Sequence, residues 1–152
     1  MIIKIIEITR IVATAIGVFV AYYYGETPQQ ALHIIVPWLL LAIAGTSGLE
    51  GLFFAKAGAE AKGFEQGSNY QTQSAIALLS YSVIALVVYL LNWGTKSELT
   101  IVFAFMFFMI FSAVNHGRSI IVDKNYKWAN LNRPFLTLLL IVVFWWPIFG
   151  CL

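Results

Sequence analysis

The sequence predicts an all-α integral membrane helical bundle of five transmembrane helices, with the amino terminus cytoplasmic and the carboxyl terminus outside. Three observations carry that prediction. Hydrophobic residues make up 61% of the chain and charged residues 11%, with a mean hydropathy of +0.84, a composition that excludes a soluble domain. Five apolar runs, over residues 8–24, 32–53, 73–93, 99–116 and 134–150, are each about long enough for a helix through a hydrocarbon core of roughly 30 Å. Lys4, Arg10, Lys56, Lys62, Arg118, Lys124, Lys127 and Arg133 fall on one side of these runs and Lys96 alone on the other, which under the positive-inside rule fixes the orientation.

The first run follows Lys4 and could be read as a secretory signal, but it ends in Tyr22, Tyr23 and Tyr24 rather than in small residues. Those rings suit a lipid–water boundary, so the run is expected to remain as a span. Lys4, Glu7 and Arg10 recur every three residues and share one helical face, where they can pair with one another. In the second run Ala44, Gly45, Gly48 and Gly51 form a small-residue stretch suited to close helix packing, and Pro37 is expected to loosen the turn back to His33. The third and fourth runs are joined by a tight connection, as are the first and second, which makes both pairs antiparallel neighbours. The fifth is expected to start at Pro134, a residue favoured in a first helical turn. With 152 residues the chain has room for one transmembrane domain, residues 1–152.

Glu50 is the most informative polar residue. A charged side chain at the bilayer centre costs about 2.5–3.5 kcal/mol on insertion scales, so a deep Glu50 requires a partner, a hydrated cavity or a proton. A second possibility is that the helix ends near Gly51 and leaves Glu50 at the interface. Thr46 lies one turn before it on the same face. Ser112, Asn115 and His116 make a polar edge on the fourth run, and Gln73 and Ser80, with Ala77 between them, make one on the third. Together these residues are expected to form a proton- or solute-binding site in the cytoplasmic half. His116 and Asn115 have a simpler alternative role as a cap before Gly117. Lys56 and Glu60 have the spacing of a helix ion pair in the loop that follows the second run, and Glu65 could fold back toward the site.

Gly63, Phe64, Ser68, Asn69, Tyr70, Gln71 and Gln73, followed by Asn115, His116, Asn130 and Asn132, resemble a family of small, uncharacterised bacterial multi-span proteins known only as a domain of unknown function. The resemblance covers the last two thirds of the chain. It implies a compact helical bundle and makes Gln71, Asn130 and His116 shared polar positions, without assigning any of them a role.

Phosphate-binding glycine loops, zinc-protease histidine pairs, nucleophile turns and paired cysteines are all missing from the sequence. Cys151 is the single cysteine, and the expected topology separates the two histidines, His33 and His116, so no metal site, cofactor or catalytic set is indicated. A net charge of +2 is too small to point to nucleic acid. The expected partners are the lipid bilayer and either further copies of the chain or a membrane partner protein, and the expected location is a cell inner membrane. A small transporter, channel or solute-binding protein fits the clustered polar residues best. A non-catalytic accessory or assembly subunit is the alternative, and a membrane enzyme acting on a lipid or quinone has the least support.

Overall fold

The computed structural model describes residues 2–152, and within them the chain forms six helices and no strand. These are α1 (Ile2–Tyr24), α2 (Pro28–Phe53), a short α3 (Ala55–Lys62), α4 (Asn69–Leu90), α5 (Thr95–Ile121) and α6 (Trp128–Phe149). Helices α2, α4, α5 and α6 are long and apolar enough to cross a bilayer, and they mark the chain as a membrane protein. Five spans were expected. The first forms the 23-residue helix α1, which is not among these four.

Helix α2 is the axis of the bundle, and α1, α4, α5 and α6 all pack on it. Its Leu32, Ile35, Val36, Leu39 and Leu40 are fully buried, meeting Val102 and Phe105 of α5 and Phe144 of α6 in one core. Outward-facing residues are also large and apolar, among them Phe19, Phe53, Leu90, Phe111, Leu138 and Val142. An apolar exterior of this extent suits acyl chains rather than water.

Local signals set the helix ends. Helix α2 begins at Pro28, four residues before the apolar run, because Thr27 accepts from the Gln30 N–H while the Gln30 side chain accepts from the Thr27 N–H. This reciprocal cap, with proline in the first turn, satisfies donors that would otherwise be orphaned. Gly63 ends α3 in the left-handed conformation at φ 73°, a geometry that glycine adopts without steric cost. Two expected boundaries are corrected. Helix α5 runs on through Gly117 to Ile121, so His116 and Asn115 lie within it rather than capping it. Helix α6 begins at Trp128, so Pro134 lies inside the helix and not in its first turn.

Helix α2 contains a π-helical turn over Leu40–Gly45. There the Thr46 N–H reaches the carbonyl of Leu41, five residues back, and the Ala42 carbonyl is taken instead by the Thr46 hydroxyl at 2.6 Å. Such turns widen a helix locally and recur at functional sites.

Candidate functional site

Helices α1 and α2 run antiparallel, which brings Arg10 level with the turn that follows the π segment. Arg10 Nε donates to Thr46 Oγ1 at 2.9 Å, so the hydroxyl that satisfies Ala42 also orients the guanidinium. Arg10 Nη2 then donates to Glu50 Oε2 at 2.8 Å. The second carboxylate oxygen accepts from Lys62 Nζ, which α3 carries back under the end of α2. Glu50 is 2% exposed and Arg10 5%, so this is a buried cluster and not an interfacial one. Burial pulls the Lys62 ammonium below the ordinary lysine pKa, and the adjacent Glu50 carboxylate opposes that shift. Close approach of α3 depends on Gly58, since a Cβ there would lie 2.9 Å from Glu50 Oε1.

A second polar pair stands beside the cluster. Asn130, fully buried, donates through Nδ2 to the Asn125 carbonyl at 2.8 Å. That bond fixes the amide orientation, so Oδ1 is the atom that faces His116 Nδ1 at 2.6 Å and must accept from it. His116 therefore carries a proton on Nδ1, and in the neutral ring Nε2 is an acceptor. Phe64 packs on the imidazole at a centroid distance of 5.1 Å. Asn125 also donates to the Lys62 carbonyl at 2.8 Å, and Lys127 Nζ donates to the Glu60 carbonyl at 2.6 Å, so the two connections at this end are knitted together.

Glu50, Gly58, Lys62, Phe64 and His116 border a cavity of about 670 Å³ at the end of the bundle that carries eight of the nine basic residues. Its size is in the range of small-molecule sites. Of the residues expected to form a site, Glu50, Ser112, Asn115, His116, Glu65 and Gln71 line it, while Thr46 and Asn130 stand behind the wall and position Arg10 and His116. Gln73 and Ser80 are exposed and do not line it. The lining edge of α4 is instead Tyr70, Gln71, Ser74, Ala75, Leu78 and Tyr81. Ser80 donates to the Ile76 carbonyl of its own helix, which lets a hydroxyl face outward without an unmet donor. The small residues serve packing: a Cβ on Gly48 would lie 2.5 Å from Leu79 Cγ, one on Gly51 2.7 Å from Ala75 Cβ and one on Gly45 2.9 Å from Ser82 Oγ. Ala44 is fully buried in the same stretch.

Arg10, Lys62 and Arg133 were not singled out from the sequence, where they read as interfacial anchors. The available signal was the position of Arg10 between Ile8 and Ile11, too deep in an apolar stretch for a residue that only anchors. Arg10 pairs with Glu50 and not with Glu7, and Lys56 makes no ion pair with Glu60 among the described residues. His33 is likewise engaged: its Nδ1 lies 2.5 Å from Glu98 Oε1 at the opposite end of the bundle, and Glu98 is buried. No group of three or more potential metal ligands occurs among the described residues.

No curated protein and no solved structure matches the chain. One protein-family model does, and it spans residues 4–149, so the similarity first apparent from Gly63 onward extends back through α1 and α2. The chain belongs to the family of unknown function DUF6790.

Proposed function

We propose that the protein is a small membrane-embedded solute-binding protein, with the basic end of the bundle facing the cytoplasm and α1 serving as a fifth span. The observation that carries this reading is a half-open cavity between α2, α3, α4, α5 and α6 that gathers charged and amide side chains in an otherwise apolar bundle. Ionisable groups are expensive at this depth, and they recur where a transporter, channel or receptor meets its solute. In support of a fifth span, α1 lies along α2 from Arg10 beside Thr46 to Gly25 beside Ala31, and Arg10 turns inward to Thr46 and Glu50 while Ile5, Ile8, Ile16 and Phe19 face outward. The uneven distribution of basic residues supports the orientation. The same orientation and composition fit an inner membrane.

A thermal-unfolding screen of the purified protein in detergent tests the reading. Small anions, cations and uncharged polar solutes are compared on the natural chain and on Ser74→Trp, which fills the cavity from α4. At a hundredfold excess over Kd a ligand adds about 2.7 kcal/mol to stability, so at least one compound is expected to raise the transition by several degrees in the natural chain and not in Ser74→Trp. Equal responses from the two proteins across the whole panel overturn the reading.

A further inference from the structure

The charges around the cavity are unequally satisfied. Glu50 uses one oxygen for Arg10 and the other for Lys62. Arg133, on the second turn of α6, lines the same cavity, yet it makes no ion pair or side-chain hydrogen bond with another described residue. The other carboxylates at this end are Glu7 on α1, within electrostatic range of Arg133, and the exposed Glu60, Glu65 and Asp123; none bonds it. Three cations thus surround one carboxylate that is already shared by two of them. A guanidinium with five donors and no acceptor in a partly dehydrated pocket is matched by an anion able to take two parallel N–H bonds.

The cavity is also polarised along its length. From His116 up to Ala104 it follows α5 for twelve residues, about 18 Å at 1.5 Å per residue. Its basic end is bordered by Glu50, Lys62, His116 and Arg133, and its far end by Ile43, Leu78, Tyr81, Ala104 and Phe108. Charge at one end and an aromatic, aliphatic channel reaching toward the bilayer centre are the features of a site for an amphiphile rather than for a small hydrated ion. Gln71 adds a further element, since its Oε1 is buried without a hydrogen-bond partner while its Nε2 is bonded to the Glu65 carbonyl, leaving an acceptor for a ligand hydroxyl or ammonium.

We propose that this cavity binds an amphiphilic anion, with a phosphate or carboxylate head on Arg133 and an apolar chain running between α4 and α5 past Phe108 and Tyr81. The proposal rests on the reading of the cavity as a ligand site and specifies its ligand class. Native mass spectrometry of the full chain tests it with three probes: dioleoyl phosphatidic acid, dioleoylglycerol, which lacks the anion, and glycerol 3-phosphate, which lacks the chains. Phosphatidic acid is expected to bind about tenfold or more tightly than either, the scale of a charge-assisted bidentate contact. Arg133→Gln removes that advantage and Arg118→Gln, an exposed arginine at the same end outside the cavity, preserves it. Ala104→Trp, which blocks the apolar end, weakens phosphatidic acid and leaves glycerol 3-phosphate unchanged; this arm decides the matter should Arg133→Gln fail to fold. Equal binding of phosphatidic acid and dioleoylglycerol overturns the anion, and equal binding of glycerol 3-phosphate and phosphatidic acid overturns the chain. Should phosphatidic acid fail while another solute still stabilises the natural chain but not Ser74→Trp, the ligand class is wrong and the ligand-site reading stands. Failure of every compound overturns both.

Discussion

Glu50→Ala is expected to destabilise the bundle by about 3–5 kcal/mol, the cost of removing one partner from a buried charge pair. The substitution leaves Arg10, 5% exposed, without its carboxylate at a depth where water reaches it poorly. Lys62 loses the same partner but suffers less, because its side chain is 22% exposed and can swing toward the interface on α3. Most of the effect should therefore come from Arg10. That makes a second variant informative: replacing the pair together, Arg10→Met with Glu50→Leu, removes both charges and should recover most of the loss, since apolar replacement of a buried pair is often neutral or stabilising. Thermal unfolding of the two single variants and the double variant in one lipid mixture gives the coupling directly. Single effects that simply add would place Glu50 and Arg10 in separate environments.

Gly48→Ala is expected to destabilise by about 1–3 kcal/mol, the usual range for overpacking a close contact. The new Cβ would lie 2.5 Å from Leu79 Cγ and 2.9 Å from the Ala75 carbonyl oxygen, and the second of these is backbone that cannot rotate away. Helix α4 would have to retreat from α2, which opens the wall that holds Gln71 and Ser74 against the cavity. Gly117→Ala provides the contrast. Nothing lies within 4 Å of a Cβ at that position, which is inside α5, so the gain in helix propensity should stabilise by about 0.5–1 kcal/mol. Opposite signs for the same chemical change are the expected result of an equilibrium-unfolding comparison. Equal signs would mean that α2 and α4 are not packed through their small residues.

The membrane bundle was legible in the sequence because hydropathy is summed over many residues and survives local errors. Site geometry was less so. The phase of α4 illustrates why: Gln73 and Ser80 were selected as its polar edge for their polarity, whereas the edge two residues away, through Gln71 and Ser74, lines the cavity. A hydroxyl that bonds its own helix, as Ser80 does, carries little information about which face is buried. Arg10, Lys62 and Arg133 were obscured by the rule that reads basic residues as interfacial anchors, since a count of basic residues cannot show which of them turn inward. The true beginning of α6, six residues before Pro134, was hidden by proline's preference for first turns. That displacement carries Asn130 and Arg133 into a helix facing His116. The Thr27 and Gln30 cap, in contrast, is readable in the sequence as a helix start ahead of the apolar run.

The central claim is a hydrated cavity at the basic end, inside the bundle, and cysteine accessibility tests it most directly. In a Cys151→Ser background, Ser112→Cys and Val114→Cys place single thiols two residues apart on α5, the first in the cavity wall and the second facing outward. A small charged methanethiosulfonate reagent, applied to sealed vesicles of each orientation, should modify the first from the side that carries Arg118 and Lys124 and leave the second unreacted. Equal modification of both, or of neither, would contradict a water-filled pocket between these helices.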